Sequence, residues 1–162
     1  MFTKILLPLD GSDLSREAMD DAAALATKTG AEVVLVQVVD SEAQLISQVS
    51  GMAVEPMPMG EVTVEAARSA VTAQRRAAEE NLAQAKQSLE AQGITVSTVI
   101  RSGNPGDQIV EAADELGCDV VVMATHGRTG FRRAILGSVA DHVARNTARA
   151  SVLLVKPVRE TD

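Results

Sequence analysis

An open five-stranded parallel sheet with helices on both faces, an α/β fold, is the class that this sequence predicts. Short apolar runs alternate along the chain with longer stretches of helical period. The 162 residues are enough for one well-buried core and too few for two ordinary domains, so residues 1–162 are interpreted as one domain. Because crossovers between parallel strands are right-handed, few arrangements remain, and 3-2-1-4-5 is the strand order we expect.

The strands are predicted from apolar runs of strand length. Four runs are apolar without alternation, which is typical of parallel strands that are covered on both faces. They are Lys4–Leu9, Ala31–Val39, Asp119–Ala124 and Ser151–Lys156. The run Ile94–Ile100 alternates apolar and polar residues, which predicts a strand at the edge of the sheet.

Four helices are predicted between the strands from apolar residues spaced three and four apart. They cover about Leu14–Thr29, Val64–Gln92 and Pro105–Leu116, and a segment from Ser138 to just before Thr147. The segment 41–60 has no sustained period and is rich in Met and Pro. It is interpreted as a variable loop, either a mobile lid or a plain surface loop.

Composition excludes several classes of function. A net charge of −7 argues against general affinity for nucleic acid, and only two aromatic residues are present for bases to stack on. No apolar stretch approaches the roughly 18 residues of a membrane helix, and the N-terminus lacks the layout of a signal peptide, so no membrane insertion and a cytoplasmic location are expected. Cys118 is the only cysteine and is interpreted as a small residue that enters a strand.

Two glycine-containing loops mark the expected ligand site. In the order 3-2-1-4-5 the winding direction reverses between the first and fourth strands, and ligands of such sheets bind beyond the carboxyl ends of the strands there. The loops that leave these strands are 10–13 and 125–130. Gly127, Gly130 and Gly137 precede a helix that starts at Ser138, and residues 125–150 carry five Arg against one acid. Phosphate binding is one interpretation of this loop, and a flexible loop with a capping serine is the other.

The standard phosphate fingerprints G-x4-G-K-S/T and G-x-G-x-x-G are absent, but other motifs are familiar. Residues 122–130 (VMATHGRTG), 136–140 (LGSVA), 151–157 (SVLLVKP) and 5–12 (ILLPLDGS) resemble the universal stress protein family. The resemblance covers nearly the whole chain apart from 41–60. Members that bind ATP carry the motif G-2x-G-9x-G-S/T. Here Gly127 and Gly137-Ser138 match the motif, and Ala124 stands at the position of its first glycine.

The resemblance implies a site for an adenine nucleotide: ATP, AMP or ADP, with Mg²⁺ left open. Asp10 would face the ribose or base, unless it is only a turn residue that bonds its own backbone. Val38 or Val39 would border the adenine, and both also suit a plain strand core. The loop residues that would hold or flank the phosphates are Thr125, Gly127, Arg128, Gly130, Gly137, Ser138 and Val139.

Three functions remain open at this point. The first is a regulatory protein of the stress response whose bound nucleotide sets its conformation or partners. The second is an enzyme that hydrolyses ATP slowly or phosphorylates itself, with Ser138 or Thr129 as acceptors. The third is a nucleotide-free interaction scaffold. No catalytic residue is assigned: His126 has no nucleophile beside it in the sequence, and His142 carries no signal.

The last strand predicts a homodimer. Ser151–Lys156 would lie at an edge of the sheet, and its run of four apolar residues bears a charge only at Lys156. Antiparallel pairing with a second copy about a two-fold axis would cover this edge. The family resemblance implies the same arrangement. A monomer whose edge is capped by the residues after Pro157 is the alternative.

Overall fold

The computed structural model describes residues 1–52, 61–125 and 137–156, with side chains outside 49–63. Its five strands form one parallel sheet in the order β3-β2-β1-β4-β5, which confirms the predicted fold class. The elements are β1 (Lys4–Pro8), α1 (Asp13–Thr29), β2 (Glu32–Val39), α2 (Glu42–Met52), α3 (Glu61–Glu90), β3 (Val96–Ser102), α4 (Pro105–Glu115), β4 (Val120–Ala124), α5 (Ser138–Asn146) and β5 (Ser151–Val155).

Two apolar layers sandwich the sheet. Alternate strand residues such as Leu7 and Leu35 pack against α1 and α3, while their neighbours Leu6 and Val36 pack against α4 and α5. All four of these side chains are fully buried. Successive residues of a strand therefore pack against different pairs of helices. The functional site lies on the side of the sheet that α4 and α5 cover.

The segment after β2 is not irregular where the structure describes it, so that prediction is wrong for 42–52. Ser41 and Gln44 bond reciprocally: the Gln44 N–H donates to Ser41 Oγ (3.2 Å), and the Ser41 N–H donates to Gln44 Oε1 (2.8 Å). This capping box satisfies two backbone donors and starts α2. α2 then packs on α3, where Glu42 forms an ion pair with Arg68 at 3.5 Å. Residues 53–60 lie outside the described part of the chain.

The two edge strands differ from their predicted form. β3 begins two residues later than predicted and continues to Ser102, because Arg101 and Ser102 still pair with Val38 and Val39. β5 is not covered on both faces: Leu153 is 42% exposed, whereas Val152 and Leu154 pack against the layer of α4 and α5. Among the described residues, no helix is long and apolar enough to cross a lipid bilayer.

Candidate functional site

A cavity of about 220 Å³ opens at the carboxyl ends of β1, β2 and β4, where the winding of the sheet reverses. Its floor consists of buried apolar side chains from three different elements: Val36 of β2, Met123 of β4 and Ile109 of α4. Ala140 of α5 closes it from the side. Because the floor offers no polar group, it suits a flat apolar moiety rather than a charged one.

Asp10 lies at the rim of this cavity, two residues after β1 ends. Its Oδ1 accepts hydrogen bonds from the Ser12 N–H (2.9 Å) and the Ser12 hydroxyl (2.5 Å). Partial burial raises the pKa of this carboxyl, but hydrogen bonds from Ser12, from Ser15 and from the backbone of Asp10 together outweigh it, and the pKa lies below its ordinary value. Asp10 is thus an ionised turn residue, and its Oδ2 accepts neither of the hydrogen bonds that Ser12 donates.

The loop geometry fixes that carboxylate. Gly11 has a φ of +83°, a conformation that favours glycine and that turns the chain from β1 into α1. Ser12 then caps α1 by accepting the Ser15 N–H at 3.1 Å. The sequence 10–13 therefore builds a rigid corner that holds the carboxylate at the cavity.

Val38 and Val39, which the sequence left as alternatives, point to opposite faces. Val38 lines the cavity, and Val39, buried at the end of β2, does not. The backbone of Val38 is also distinctive. Even-numbered residues of β2 bond towards β1, as the Leu9 N–H does to the Val36 carbonyl (2.8 Å) and the Glu32 N–H to the Thr3 carbonyl (3.0 Å).

After Leu9 the chain turns away from β2. The next even-numbered residue of β2 therefore has no neighbouring strand on the side of β1. The N–H and carbonyl of Val38 consequently have no hydrogen-bond partner among the described residues. An adjacent donor and acceptor are thus available at the edge of an apolar cavity. Buried backbone groups are normally paired, which makes this pair a candidate for ligand recognition.

The first turn of α5 forms the wall opposite Asp10. Gly137 is its N-cap, with φ −56° and ψ 149°, and no side chain among the described residues caps the helix. By contrast, Ser12 caps α1 and Asn104 caps α4. Ser138 and Val139 line the cavity, and their N–H groups, at the positive end of the helix dipole, have no acceptor in the described part of the chain.

Ala124 and Thr125 connect the cavity to the edge of the sheet. Ala124 lines the cavity as the last residue of β4 and pairs with Val155 of β5. Thr125 does not line the cavity: its N–H (2.9 Å) and its hydroxyl (3.3 Å) both donate to the Val155 carbonyl. Gly127, Arg128 and Gly130 of the predicted loop lie outside the described residues.

The floor of the cavity is the part that sequence reasoning missed. Ile109 and Pro105 come from α4, which the sequence analysis treated only as a packing helix. Met123 lies one residue before Ala124 and Pro8 lies two residues before Asp10, both on the same face of the sheet as Val36. Strand parity combined with the predicted strand order would have identified this face, because every strand contributes to it at intervals of two residues.

The described residues contain no group of three or more His, Cys, Asp or Glu that could hold a metal ion. The fold and the cavity together define a class of protein: a doubly wound α/β domain with a ligand cavity at its topological switch point.

Comparison with known proteins gives the family. The model of the universal stress protein family matches residues 1–156. Universal stress protein MJ0531 of Methanocaldococcus jannaschii is 33% identical over 162 residues, which cover 99% of this chain and 86% of that protein. MJ0577 of the same organism is 31% identical over 160 residues, 96% of each. The chain belongs to the universal stress protein family.

Solved structures show the same fold. A structure of MJ0577 has a TM-score of 0.76 with this chain at 28% identity and covers 99% of both chains. Two structures share the fold at lower identity. One is a universal stress protein in complex with cAMP, with a TM-score of 0.63 at 23% identity over 96% of this chain and 97% of that one. The other is from Archaeoglobus fulgidus in complex with dAMP, with a TM-score of 0.62 at 18% identity over 95% and 97%.

Proposed function

We propose that this chain is a cytoplasmic, adenine-nucleotide-binding regulatory protein of the stress response, with residues 1–162 acting as one domain. The observation that carries the proposal is the cavity itself. Its apolar floor is bordered by three polar features that match the parts of one ligand: the unpaired backbone of Val38, the Asp10 carboxylate and the uncapped start of α5.

The base is assigned to the apolar floor and the Val38 backbone. Adenine offers an N–H donor at N6 beside an acceptor at N1, so it can bond the Val38 carbonyl and N–H together. Guanine presents the opposite pair on that edge, an acceptor at O6 and a donor at N1, and it would leave both backbone groups unsatisfied. A buried polar group without a partner costs about 1–3 kcal/mol, which favours adenine about 10-fold or more.

The sugar is assigned to Asp10. Its Oδ1 is engaged by Ser12, and its Oδ2 is available to accept a ribose hydroxyl. An ionised acceptor forms a stronger hydrogen bond than a neutral one, and the low pKa of Asp10 keeps this oxygen ionised at neutral pH.

The phosphates are assigned to the start of α5. Free N–H groups and the helix dipole attract anions there, and Gly137 allows close approach to the backbone. Gly127, Arg128 and Gly130 complete this subsite in the proposal, as the family motif implies, with Thr125 anchoring the start of the loop. Mg²⁺ would reach the site with ATP, since it is usually held by phosphates and one or two carboxylates.

The structures with cAMP and dAMP support an adenine nucleotide as ligand class, because each pairs this fold with such a ligand. Self-phosphorylation is a second candidate function on one observation: the exposed Ser138 lies at the cavity, where the phosphates are assigned. Single-turnover incubation with γ-labelled ATP separates the two functions. Bound, unchanged ATP supports regulation, and label on Ser138 supports the enzyme.

Nucleotide binding is tested by mass spectrometry of the ligand released on denaturation and by calorimetry with ATP and GTP. We expect adenine nucleotide to be released and ATP to bind more tightly than GTP. Gly137→Val adds bulk beside the phosphates at an ordinary negative φ, so the fold should survive while ATP binding is lost. Gly127→Val should act in the same way.

Ala144→Val is the matched control for Gly137→Val, because Ala144 lies on the exposed side of the same helix. It should leave ATP affinity unchanged. Equal affinity for ATP in the wild type, Gly137→Val and Gly127→Val would overturn the assignment of the phosphates. Equal affinity for ATP and GTP would overturn the assignment of the base.

We further propose that two copies pair through β5. The exposure of Leu153 supports this, as does the unpaired outer edge of the strand. Leu153→Lys is the cleaner test than Leu154→Lys, because Leu154 packs against the layer of α4 and α5. Light scattering should give twice the chain mass for the wild type and a lower mass for Leu153→Lys. Thr98→Lys, exposed on the opposite edge strand, is the control.

A further inference from the structure

Two helices meet beside the cavity through an unusually close contact. The imidazole of His142 on α5 lies against the backbone of Gly106 on α4, so a Cβ at residue 106 would come within 2.7 Å of the ring. His142 Nε2 lies 2.8 Å from Asp107 Oδ1. Residue 106 must therefore be small for the imidazole to reach the carboxylate.

This contact joins α4 and α5 close to the cavity, which residues at the start of both helices line. Pro105 and Ile109 of α4 line it, and so do Ser138 and Val139 of α5. His142 is one helical turn after Ser138, about 6 Å along the axis. A change of charge at the pair of His142 and Asp107 is thus felt at the start of α5, where the phosphates are assigned.

Among the charged groups near His142, the pair of His142 and Asp107 is the one whose net charge can change near neutral pH. On α5, Asp141 and Arg145 bond each other at 2.9 Å. α4 carries further acids at Glu111, Asp114 and Glu115, of which Glu115 bonds Arg101. β5 has no charged residue within its bounds, and Lys156 follows it. Asp10 lies across the cavity. Histidine is the side chain whose charge ordinarily changes between pH 5 and 8.

We propose that His142 is a positioning residue that couples proton binding to nucleotide binding, an inference that rests on the proposed function. With a neutral imidazole, the pair carries the single negative charge of Asp107 beside the phosphates. When the imidazole takes a proton from solvent, the pair becomes neutral and that repulsion disappears. A unit charge about 8 Å away in a water-exposed site changes affinity by a factor of about two to three.

By linkage, the bound nucleotide increases the affinity of His142 for a proton by the same factor, which shifts the midpoint of its titration to higher pH. Proton NMR of the imidazole resonances between pH 5 and 9, with and without saturating ATP, measures it. The chain has two histidines, so His142→Gln assigns the resonance, or His126→Gln assigns it by elimination. We expect ATP to raise the midpoint by about 0.3–0.5 pH units. An unchanged or lower midpoint in protein that binds ATP would overturn the inference alone, and absence of ATP binding would overturn the proposed function with it.

Asp107→Asn supplies an independent test, because it removes the same negative charge at any pH. At pH 8 it should raise ATP affinity about two- to threefold. Asp114→Asn is the matched control on the same helix, about 10 Å further along the axis. An equal gain in ATP affinity in both variants would show that the effect comes from the net charge of the protein, and it would overturn the role of the pair.

Discussion

Replacing Asp10 with asparagine distinguishes the role of Oδ1 from that of Oδ2 in this carboxylate. The amide oxygen can keep both bonds from Ser12, whose N–H and hydroxyl hold Oδ1 in place. The amide nitrogen then stands where Oδ2 was and cannot accept a hydrogen bond. A flipped amide would lose the bond from the Ser12 N–H. Asp10→Asn should therefore preserve the turn and remove the acceptor offered to the ribose.

The magnitude follows from the type of bond. A hydrogen bond to an ionised acceptor contributes about 1.5–3 kcal/mol, which corresponds to about a 10- to 150-fold loss in ATP affinity. Loss of the negative charge acts in the opposite direction, since it relieves repulsion of the phosphates by about 0.5 kcal/mol at 8 Å in water. The hydrogen-bond contribution is larger, so the net result is weaker binding.

Isothermal titration of ATP measures this loss, with Asp13→Asn as the control. Asp13 is exposed in the first turn of α1, and the same substitution there removes one charge near the site without touching the cavity. We expect Asp10→Asn to bind at least about 10-fold more weakly than Asp13→Asn, with similar melting temperatures. Affinities within twofold of each other would refute the role of Oδ2 as a ligand acceptor.

Three further predictions concern stability and reactivity. Hydrogen bonds from the hydroxyl and N–H of Thr3 hold the pKa of Asp119 at about 2, so its stabilising contribution is present above about pH 4 and is lost as pH falls through 2. The gap in melting temperature between the wild type and Asp119→Asn should accordingly narrow from pH 6 to pH 2, unlike that for the exposed Asp20→Asn. Burial raises the pKa of Cys118 to about 11, and its reaction with an aromatic disulfide at pH 8 should be at least about 100-fold slower than in denatured protein. Comparable rates would show that the thiol is exposed. Ser41→Ala should cost about 1 kcal/mol in α2 and speed its amide hydrogen exchange about fivefold, whereas Ser47→Ala, mid-helix and exposed, should do neither.

The helix α2 shows which signal the sequence analysis overlooked. The segment after β2 was judged by the lack of a sustained apolar period, which is a weak criterion for a helix of three turns. Its start is nevertheless visible in the sequence as Ser41-x-x-Gln44, a capping-box spacing ahead of Leu45 and Ile46. Local hydrogen bonds at a helix start can thus be predicted where the period of a short helix cannot.

The strand order and the position of the cavity could be predicted because both follow from chain topology. Right-handed crossovers fix the order, and the order fixes where the winding reverses. The alternation of side chains along β2 separates Val38 from Val39, but the unpaired backbone of Val38 could not be predicted in this way, because it depends on the register between β2 and β1. Pairing of Pro8 with Val36 is what leaves Val38 as the first residue beyond the end of β1 whose backbone is directed towards that strand. That register results from packing over the whole sheet and not from any motif.

The departure of Ala124 from the family motif acquires a physical meaning from the same geometry. Glycine is required where a backbone adopts a positive φ or where a ligand must approach closer than a Cβ allows. Ala124 is a paired residue of β4, and no non-glycine residue in the described part of the chain has a positive φ. Its backbone therefore has no need of glycine. Only the second requirement remains. Ala124 borders the cavity, but its side chain packs against the layer of α1 and α3, on the opposite side of the sheet from the apolar floor. The methyl therefore lies away from the apolar floor, so alanine at this position neither strains the fold nor narrows the part of the cavity assigned to the base.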